Sequence, residues 1–289
     1  MAAVPKQNSN TNLDMVRNGK NIYSYSHDCI YNKGGEKMEE WQKDKYLMIA
    51  RLPRMERRIK EAEAAIRQAV ETSSNPAVCF SFGKDSLVCV DIATKIKPDI
   101  LIINIDRGKG GDLEEAVEMY DKYAKQQGWN YHRVKTPREL LDIYKEAGSI
   151  TKVSREKNRA NLLKGILAAR KQFSIDCEIT GLRTEEATGR GYLRRFGTFH
   201  FSKAENIWKC KPVLHWTGED VWAYIISRNL PYLRWYDLEA PFVGYERARY
   251  SNWAGVYMAE QGRFVRLKHN HPEEYALLAK TFPEISVYT

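Results

Sequence analysis

Cysteine is scarce in this chain and never paired: the 289 residues contain five, Cys29, Cys79, Cys89, Cys177 and Cys210, with no CxxC spacing among them. Structural zinc and most iron–sulfur sites need clustered thiolates, so no metal centre is expected unless distant cysteines converge in the fold. Long apolar runs are also missing. The longest, such as Ile100 to Ile105, fall far short of the roughly 18 to 20 residues of a membrane span, which excludes a membrane-spanning helix. The opening Met1-Ala-Ala-Val-Pro-Lys has neither the charged nor the apolar region of a secretory signal, so the expected compartment is the cytoplasm. Acidic residues are the minority charge, 37 against 46 Lys plus Arg, leaving a formal +9. Of this, +8 lies between Lys152 and Lys211, where 14 Lys or Arg meet 6 Asp or Glu. A focused positive field attracts nucleotides, sulfate or nucleic acid; the alternative is a solvated basic face.

What is present is a regular alternation of periods. The first forty or so residues are polar and aperiodic, an extended arm, and residues 1–52 are set apart on that ground. Met55, Ile59, Ala62, Ile66 and Val70 then mark an amphipathic helix. Ala77 to Phe80 reads as a strand, Ser81 to Ser86 as a turn and Leu87 to Ile96 as a buried helix. Ile100 to Ile105 is a second strand, Tyr131 to Val134 a third and Glu178 to Leu182 a fourth. Thr136-Pro137-Arg138-Glu139 predicts a helix start with an N-cap, an N1 proline and an N3 glutamate, closed by Gly148. Residues 154–173 predict a basic helix with Leu162, Leu163, Ile166 and Leu167 inward. Strands alternating with helices imply an α/β fold whose ligands bind at the carboxyl ends of the strands. Residues 53–183 form this core, and 184–289, with short strands near Phe199 and Pro212 and a helix from Thr217, form a substrate-binding or capping region.

Ser81-Phe82-Gly83-Lys84-Asp85-Ser86 lies between a strand and a helix, where backbone amides and a helix N-terminus bind phosphate. Gly83 permits close backbone approach, Lys84 adds a cation, and Ser81 and Ser86 add hydroxyls. A Walker A loop would need Ser or Thr directly after the lysine, and Asp85 stands there instead. An ordinary tight turn remains the alternative. Thr217 and Asp220 read as a capping pair, with Trp216, Trp222 and Tyr224 as packing residues and His215 beside them. His269 and His271 read as surface residues.

The hexapeptide resembles the SGGKDS loop of the N-type ATP pyrophosphatases, in the branch of phosphoadenosine phosphosulfate reductase and the small subunit of bacterial ATP sulfurylase. Gly181-Leu182-Arg183-Thr184-Glu185-Glu186, with Arg190 downstream, is similar to that branch's GxRxxES stretch. Pro212 to Ile225 is similar to its PLxxWTxxDVWxYI signature, continued by Leu230-Pro231 and Tyr236. The resemblance implies a mainly parallel five-stranded sheet flanked by helices, as in adenine nucleotide alpha-hydrolases, and ATP cleaved between its α and β phosphates with Mg2+. It implies Ser81, Phe82, Gly83, Lys84, Asp85 and Ser86 on the pyrophosphate, with Asp85 placing magnesium. Ile105 and Asp106 would meet the adenosine, Gly181 would line the pocket, and Arg183 and Arg190 would face the anionic end. Lys84, Asp85 and Arg183 carry the catalysis in this reading. Arg183 as a mere ion-pair partner of Glu185 or Glu186 is the alternative.

Two departures shape the expected reaction. The reductases of this branch end in a cysteine motif, whereas no cysteine follows Cys210 here, which argues against thiol-dependent reduction. The second strand ends Asp106-Arg107-Gly108 in place of Asp-Thr-Gly. What remains is adenylylation of an acceptor for sulfur incorporation: a phosphodiester, as in DNA phosphorothioation with a cysteine desulfurase or other sulfur-transfer partner, or sulfate with a GTPase partner. Lys152 to Lys211 favours DNA, with Arg155, Arg159, Arg194 and Arg195 as the contacts. A non-catalytic nucleotide-binding module, sulfur transfer to tRNA bases and a homo-oligomer are left open.

Overall fold

The computed structural model describes residues 37–150, 155–250 and 262–289. Among these described residues six strands form one sheet: β1 (Pro76–Cys79), β2 (Leu101–Asp106), β3 (Tyr131–Lys135), β4 (Cys177–Thr180), β5 (Phe199–Ser202) and β6 (Ile207–Cys210). Their order is β3-β2-β1-β4-β6-β5. Five are parallel, and the sixth, β5, pairs antiparallel with β6 at the edge. The expected five-stranded parallel sheet is therefore present with one further edge strand. It also runs past residue 184, since β5 and β6 lie beyond that point.

The strands are apolar on both sides, as a parallel sheet covered on two faces requires. Val78, Ile102 and Ile179 belong to the large core, while Ala77, Ile103 and Val134 form a smaller cluster on the opposite face. Helices α2 (Pro53–Thr72) and α3 (Lys84–Ile96) cover the first face, with α7 (Gly218–Ser227) against α3. Helix α6 (Arg155–Phe173) covers the second through Ala169. The chain moves outward from β1 through β2 and helix α4 (Glu114–Gln127) to β3, then returns to lay β4 on the other side of β1. The order reverses between β1 and β4, and the crevice at their carboxyl ends is where open α/β sheets bind ligands.

Three local expectations are corrected. Within the segment assigned to the arm, Glu40–Ala50 is a helix, α1, burying Tyr46 and Ile49 and packing on α7; residues 1–36 lie outside the described residues. Helix α5 (Leu140–Glu146) starts after Thr136-Pro137-Arg138-Glu139, not within it. The Thr136 amide extends the ladder by donating to the Asp106 carbonyl, and its hydroxyl donates to the Arg138 carbonyl, so the threonine ends a strand instead of capping a helix. On α6 the inward side is Asn161, Gly165 and Ala169, whereas Leu163 and Leu167 are exposed. A β-carbon at Gly165 would meet Ile105 at 2.8 Å and Thr136 at 2.9 Å, so this helix approaches β2 too closely for leucines to intervene.

The capping pair is as read: Thr217 Oγ1 accepts from the Asp220 amide at 3.1 Å, and the Asp220 carboxylate accepts from the Thr217 amide at 2.9 Å. Trp222 is fully buried and donates its indole N–H to the Tyr245 carbonyl at 2.8 Å. After α7 come α8 (Trp235–Val243), α9 (Arg263–Asn270) and α10 (Pro272–Thr281). His271 is buried, stacked on Trp235 at 5.2 Å, so the expectation of a surface histidine is corrected there. Among the described residues no helix is long and apolar enough to cross a membrane, and no group of three or more His, Cys, Asp or Glu could hold a metal ion.

Candidate active site

Ser81 to Ser86 leaves β1 and opens α3, whose N-cap is Gly83. The loop is closed by its own serines. Ser86 Oγ donates to the Gly83 carbonyl at 2.9 Å and accepts from the Ser81 amide at 3.2 Å, and the two serine hydroxyls lie 3.2 Å apart. At the helix start the Lys84 amide donates to the Tyr236 hydroxyl at 2.8 Å. The amides of Asp85 and Ser86 follow in the first turn, where no intrahelical acceptor exists and the helix dipole favours an anion.

The end of β4 closes on this loop. Gly181 stands so near that a β-carbon would lie 2.6 Å from both the Asp85 carbonyl carbon and the Ser86 nitrogen. Two residues on, Arg183 is buried and its Nε donates to Asp85 Oδ1 at 2.6 Å. The same guanidinium reaches Glu185 at 2.8 Å and the Trp216 carbonyl at 3.3 Å, so it bridges the loop to the PLxxWT segment. Arg183 is thus an ion-pair partner of Glu185 and of the loop at once. Burial pushes the Asp85 pKa up, but the charges of Lys84 and Arg183 outweigh it and hold the carboxyl below its usual range.

A cavity of about 1170 Å³ opens at the carboxyl ends of β1 and β4, at Cys79 and Thr180. Ser81, Gly83, Asp85, Ser86, Gly181, Arg183 and Arg190 line it together. Six arginines line the cavity among the described residues, Arg183, Arg190, Arg247, Arg249, Arg263 and Arg266, against five carboxylates, Asp85, Glu185, Glu186, Glu239 and Glu246. Glu186 pairs with Arg190 and, at 3.6 Å, with Arg249. Glu239, itself buried, takes Arg266 at 2.9 Å and Arg263 at 3.8 Å. Among the described residues, the Nε and one terminal nitrogen of Arg263 find no hydrogen-bond acceptor although it is buried. Buried donors of this kind are normally satisfied, and an anion in the cavity would satisfy them.

The remaining predicted residues fall elsewhere. Phe82 is fully buried behind the loop, stacked on Tyr120 at 5.3 Å, with a backbone φ of 61°. The Lys84 amine is also buried, donating to the Ala248 carbonyl at 2.5 Å and 3.8 Å from Asp85. Burial pulls its pKa below the ordinary lysine value, with Asp85 opposing. Ile105 and Asp106 end β2 outside the cavity lining, and Asp106 is paired with Arg133 at 2.9 Å. Arg159 on α6 and Arg194 and Arg195 on a 3-10 helix (Thr188–Phe196) are exposed and make no ion pair among the described residues, while the side chain of Arg155 lies outside them. Arg183 Nε lies 2.6 Å from one Asp85 oxygen and Lys84 Nζ 3.8 Å from the other, so cations face both oxygens.

Comparison with known proteins decides the family. The family model described as the phosphoadenosine phosphosulfate reductase domain matches residues 75–249, more than half of the chain. The chain belongs to that family. Its relatives carry enzyme names. It is 30% identical over 168 residues to adenosine 5'-phosphosulfate reductase of Geobacillus kaustophilus, covering 57% of this chain and 68% of the relative. It is 26% identical over 247 residues to sulfate adenylyltransferase subunit 2 of Bacteroides thetaiotaomicron, covering 75% of each. A solved phosphoadenylyl-sulfate reductase from Candida auris aligns with a TM-score of 0.49 at 20% identity, over 71% of this chain and 94% of that one.

The matched region of this phosphoadenosine phosphosulfate reductase domain holds the loop, Gly181, Arg183, Arg190 and the Tyr236 contact. Arg263 and Arg266 lie beyond its end. Sequence reasoning missed the far wall of the cavity. Glu246-Arg247-Ala248-Arg249 carries a readable signal, alternating charge beside a small residue, and Arg263 and Arg266 share one helix side at i, i+3 spacing. Nothing local, however, shows that Ala248 would hold the Lys84 amine. The four described cysteines are all free, and burial pushes each thiol above its ordinary pKa, Cys177 to about 12.

Proposed function

We propose that this chain is an ATP pyrophosphatase-type enzyme: an anionic acceptor attacks the α-phosphorus of ATP, pyrophosphate leaves, and the adenylylated acceptor passes on to sulfur chemistry. The observation that carries this reading is the Ser81–Ser86 loop locked between Gly181 and Tyr236 at the mouth of a 1170 Å³ cavity lined by Arg183 and Arg190. The first-turn amides and serine hydroxyls would take the β and γ phosphates. Arg183 and Arg190 would offset charge that develops on the leaving pyrophosphate. Magnesium would be held chiefly by the nucleotide phosphates and its own waters and would offset their charge. The open donors of Arg263 suit an anionic acceptor at the far wall.

The acceptor we favour is a phosphodiester of nucleic acid, the chemistry of phosphorothioation, with a desulfurase-type sulfur donor as partner. Exposed Arg159, Arg194 and Arg195 support it. Similarity to sulfate adenylyltransferase subunit 2 over 75% of both chains favours a second reading, with sulfate as acceptor and a partner subunit. Thiol-dependent reduction is disfavoured because Cys89, Cys177 and Cys210 are buried and the pKa of all four described thiols, Cys79 at the cavity included, is raised.

Pyrophosphate release from ATP, measured with sulfate, DNA or RNA as acceptor, tests the reading. Turnover should be lost in Asp85→Ala and in the Ser81→Ala, Ser86→Ala double variant, and unchanged turnover in both would sink the loop assignment. ATP binding without pyrophosphate release for any acceptor would mark a non-catalytic nucleotide module.

A further inference from the structure

The surface beside the cavity mouth has a composition that the ATP site does not use. Between Glu186 and Glu205 the chain has no acidic residue, but it has Arg190, Arg194, Arg195 and Lys203. The 3-10 helix (Thr188–Phe196) and the edge strand β5 follow one another through this stretch. Two large aromatics on it are exposed, Tyr192 at 54% and Phe196 at 45%, and the half-buried His200 follows on β5. They are not scattered. Tyr192 meets Phe196 edge-on at 6.4 Å, Phe196 stacks on His200 at 4.9 Å, and the Arg195 guanidinium lies 6.0 Å from the Phe196 ring. Lys211 Nζ stands 3.0 Å from His200 Nδ1. Burial and that cation hold His200 below its ordinary pKa, so the ring is a neutral face at pH 7.

Burying such rings in a core would be favourable, so leaving Tyr192 and Phe196 together in water, continued by His200, marks a binding surface. Charge selects the partner. Arg194 and Arg195 are exposed and make no ion pair among the described residues, and no carboxylate interrupts the ladder in sequence. An acidic polymer fits, and the aromatic faces need flat apolar partners of their own. A duplex hides its base faces inside the helix, whereas a single strand offers them, with phosphates spaced alongside. Arg190 belongs to the same 3-10 helix and lines the cavity, so a strand lying on the ladder would run to the site.

We propose that Tyr192, Phe196 and His200, flanked by Arg194 and Arg195, form a stacking platform for the unpaired bases of a single-stranded nucleic acid. The inference rests on the nucleic-acid half of the function proposed above and narrows its acceptor from nucleic acid in general to a single strand.

Fluorescence anisotropy with labelled dT20, rU20, a 20-base-pair duplex and an abasic 20-mer, each at low and moderate salt, tests it. The two single strands should bind more tightly than the duplex and the abasic strand, and the tighter of the two identifies the sugar. Tyr192→Ala and Phe196→Ala should each weaken single-strand binding about tenfold with the salt slope unchanged, whereas Arg194→Gln and Arg195→Gln should each flatten that slope by roughly one. Melting curves confirm that these exposed variants remain folded. Equal binding of all four probes, no binding at low salt, or aromatic variants that bind like the parent would overturn the platform. So would loss of a dimer in Phe196→Ala with oligonucleotide binding intact. Pyrophosphate release with sulfate separates the two proposals: if it persists while every oligonucleotide fails, the platform falls and the ATP chemistry stands; if oligonucleotides bind but no acceptor releases pyrophosphate, the reverse holds.

Discussion

At Gly181 the end of β4 lies so close to the phosphate loop that a β-carbon would stand 2.6 Å from the carbonyl carbon of Asp85. The neighbouring atoms are backbone, which cannot rotate away. Gly181→Ala must therefore displace either β4 or the loop, at a cost of about 1 to 3 kcal/mol for overpacking. ATP affinity by calorimetry should fall at least tenfold while circular dichroism stays that of the parent. An alanine variant with parental affinity would show that the loop does not depend on this contact.

Asp85 and Arg183 form the second tie between the same elements, at 2.6 Å in a buried setting. Removing one member leaves the other charge uncompensated, so Arg183→Leu should destabilise the fold by roughly 3 kcal/mol in urea titrations. A double-mutant cycle with Asp85→Asn should give a coupling energy on the order of 1 to 3 kcal/mol. The pH sign follows from the lowered Asp85 pKa. Its contribution is full above the unfolded carboxyl value of about 4 and is lost as pH falls through the folded one. Additive single-mutant effects would dissolve the pair.

Asp237 behaves in the opposite sense. Burial, against hydrogen bonds from Tyr245 at 2.8 Å and Tyr232 at 3.1 Å, pushes its pKa up to about 6. The folded state binds its proton more tightly than the unfolded one, so stability is fullest below about pH 4 and declines as pH rises through 6. Between pH 4 and 7, Asp237→Asn should gain on the parent by up to roughly 3 kcal/mol. A constant difference across that range would contradict the assignment.

Phe82 occupies a left-handed backbone position, φ 61°, in the second place of the loop, where the SGGKDS pattern has glycine. The conformation costs about 1 to 2 kcal/mol for an L-residue. Burial of the ring against Phe80 at 5.3 Å and Tyr120 at 5.3 Å outweighs it, since removing a buried phenylalanine costs about 3 to 5 kcal/mol. Phe82→Gly should then be destabilised by roughly 2 to 3 kcal/mol in denaturant titrations. A stabilised glycine variant would reverse this ranking.

Much of this architecture was legible because strand and helix periods are local. Val78, Ile102 and Ile179 sit in runs too apolar for anything but a buried strand, and Thr217 with Asp220 announces a helix start. The loop was legible as a pattern of residue types. Misreadings arose where tertiary contact overrides local preference. Thr136 ends a strand because the Asp106 carbonyl takes its amide, and α6 turns Leu163 and Leu167 outward because Gly165 must touch β2. The Lys84 amine belongs to the same class. Its acceptor, the Ala248 carbonyl, lies 164 residues away, and no sequence period links the two.

The most direct test of the central claim is the identity of the nucleotide products. Phosphorus NMR of ATP turned over by the full chain, with sulfate or a single-stranded oligonucleotide as acceptor, should show pyrophosphate together with AMP or an adenylylated acceptor. Formation of ADP and orthophosphate, or no consumption of ATP with any acceptor, would contradict the account.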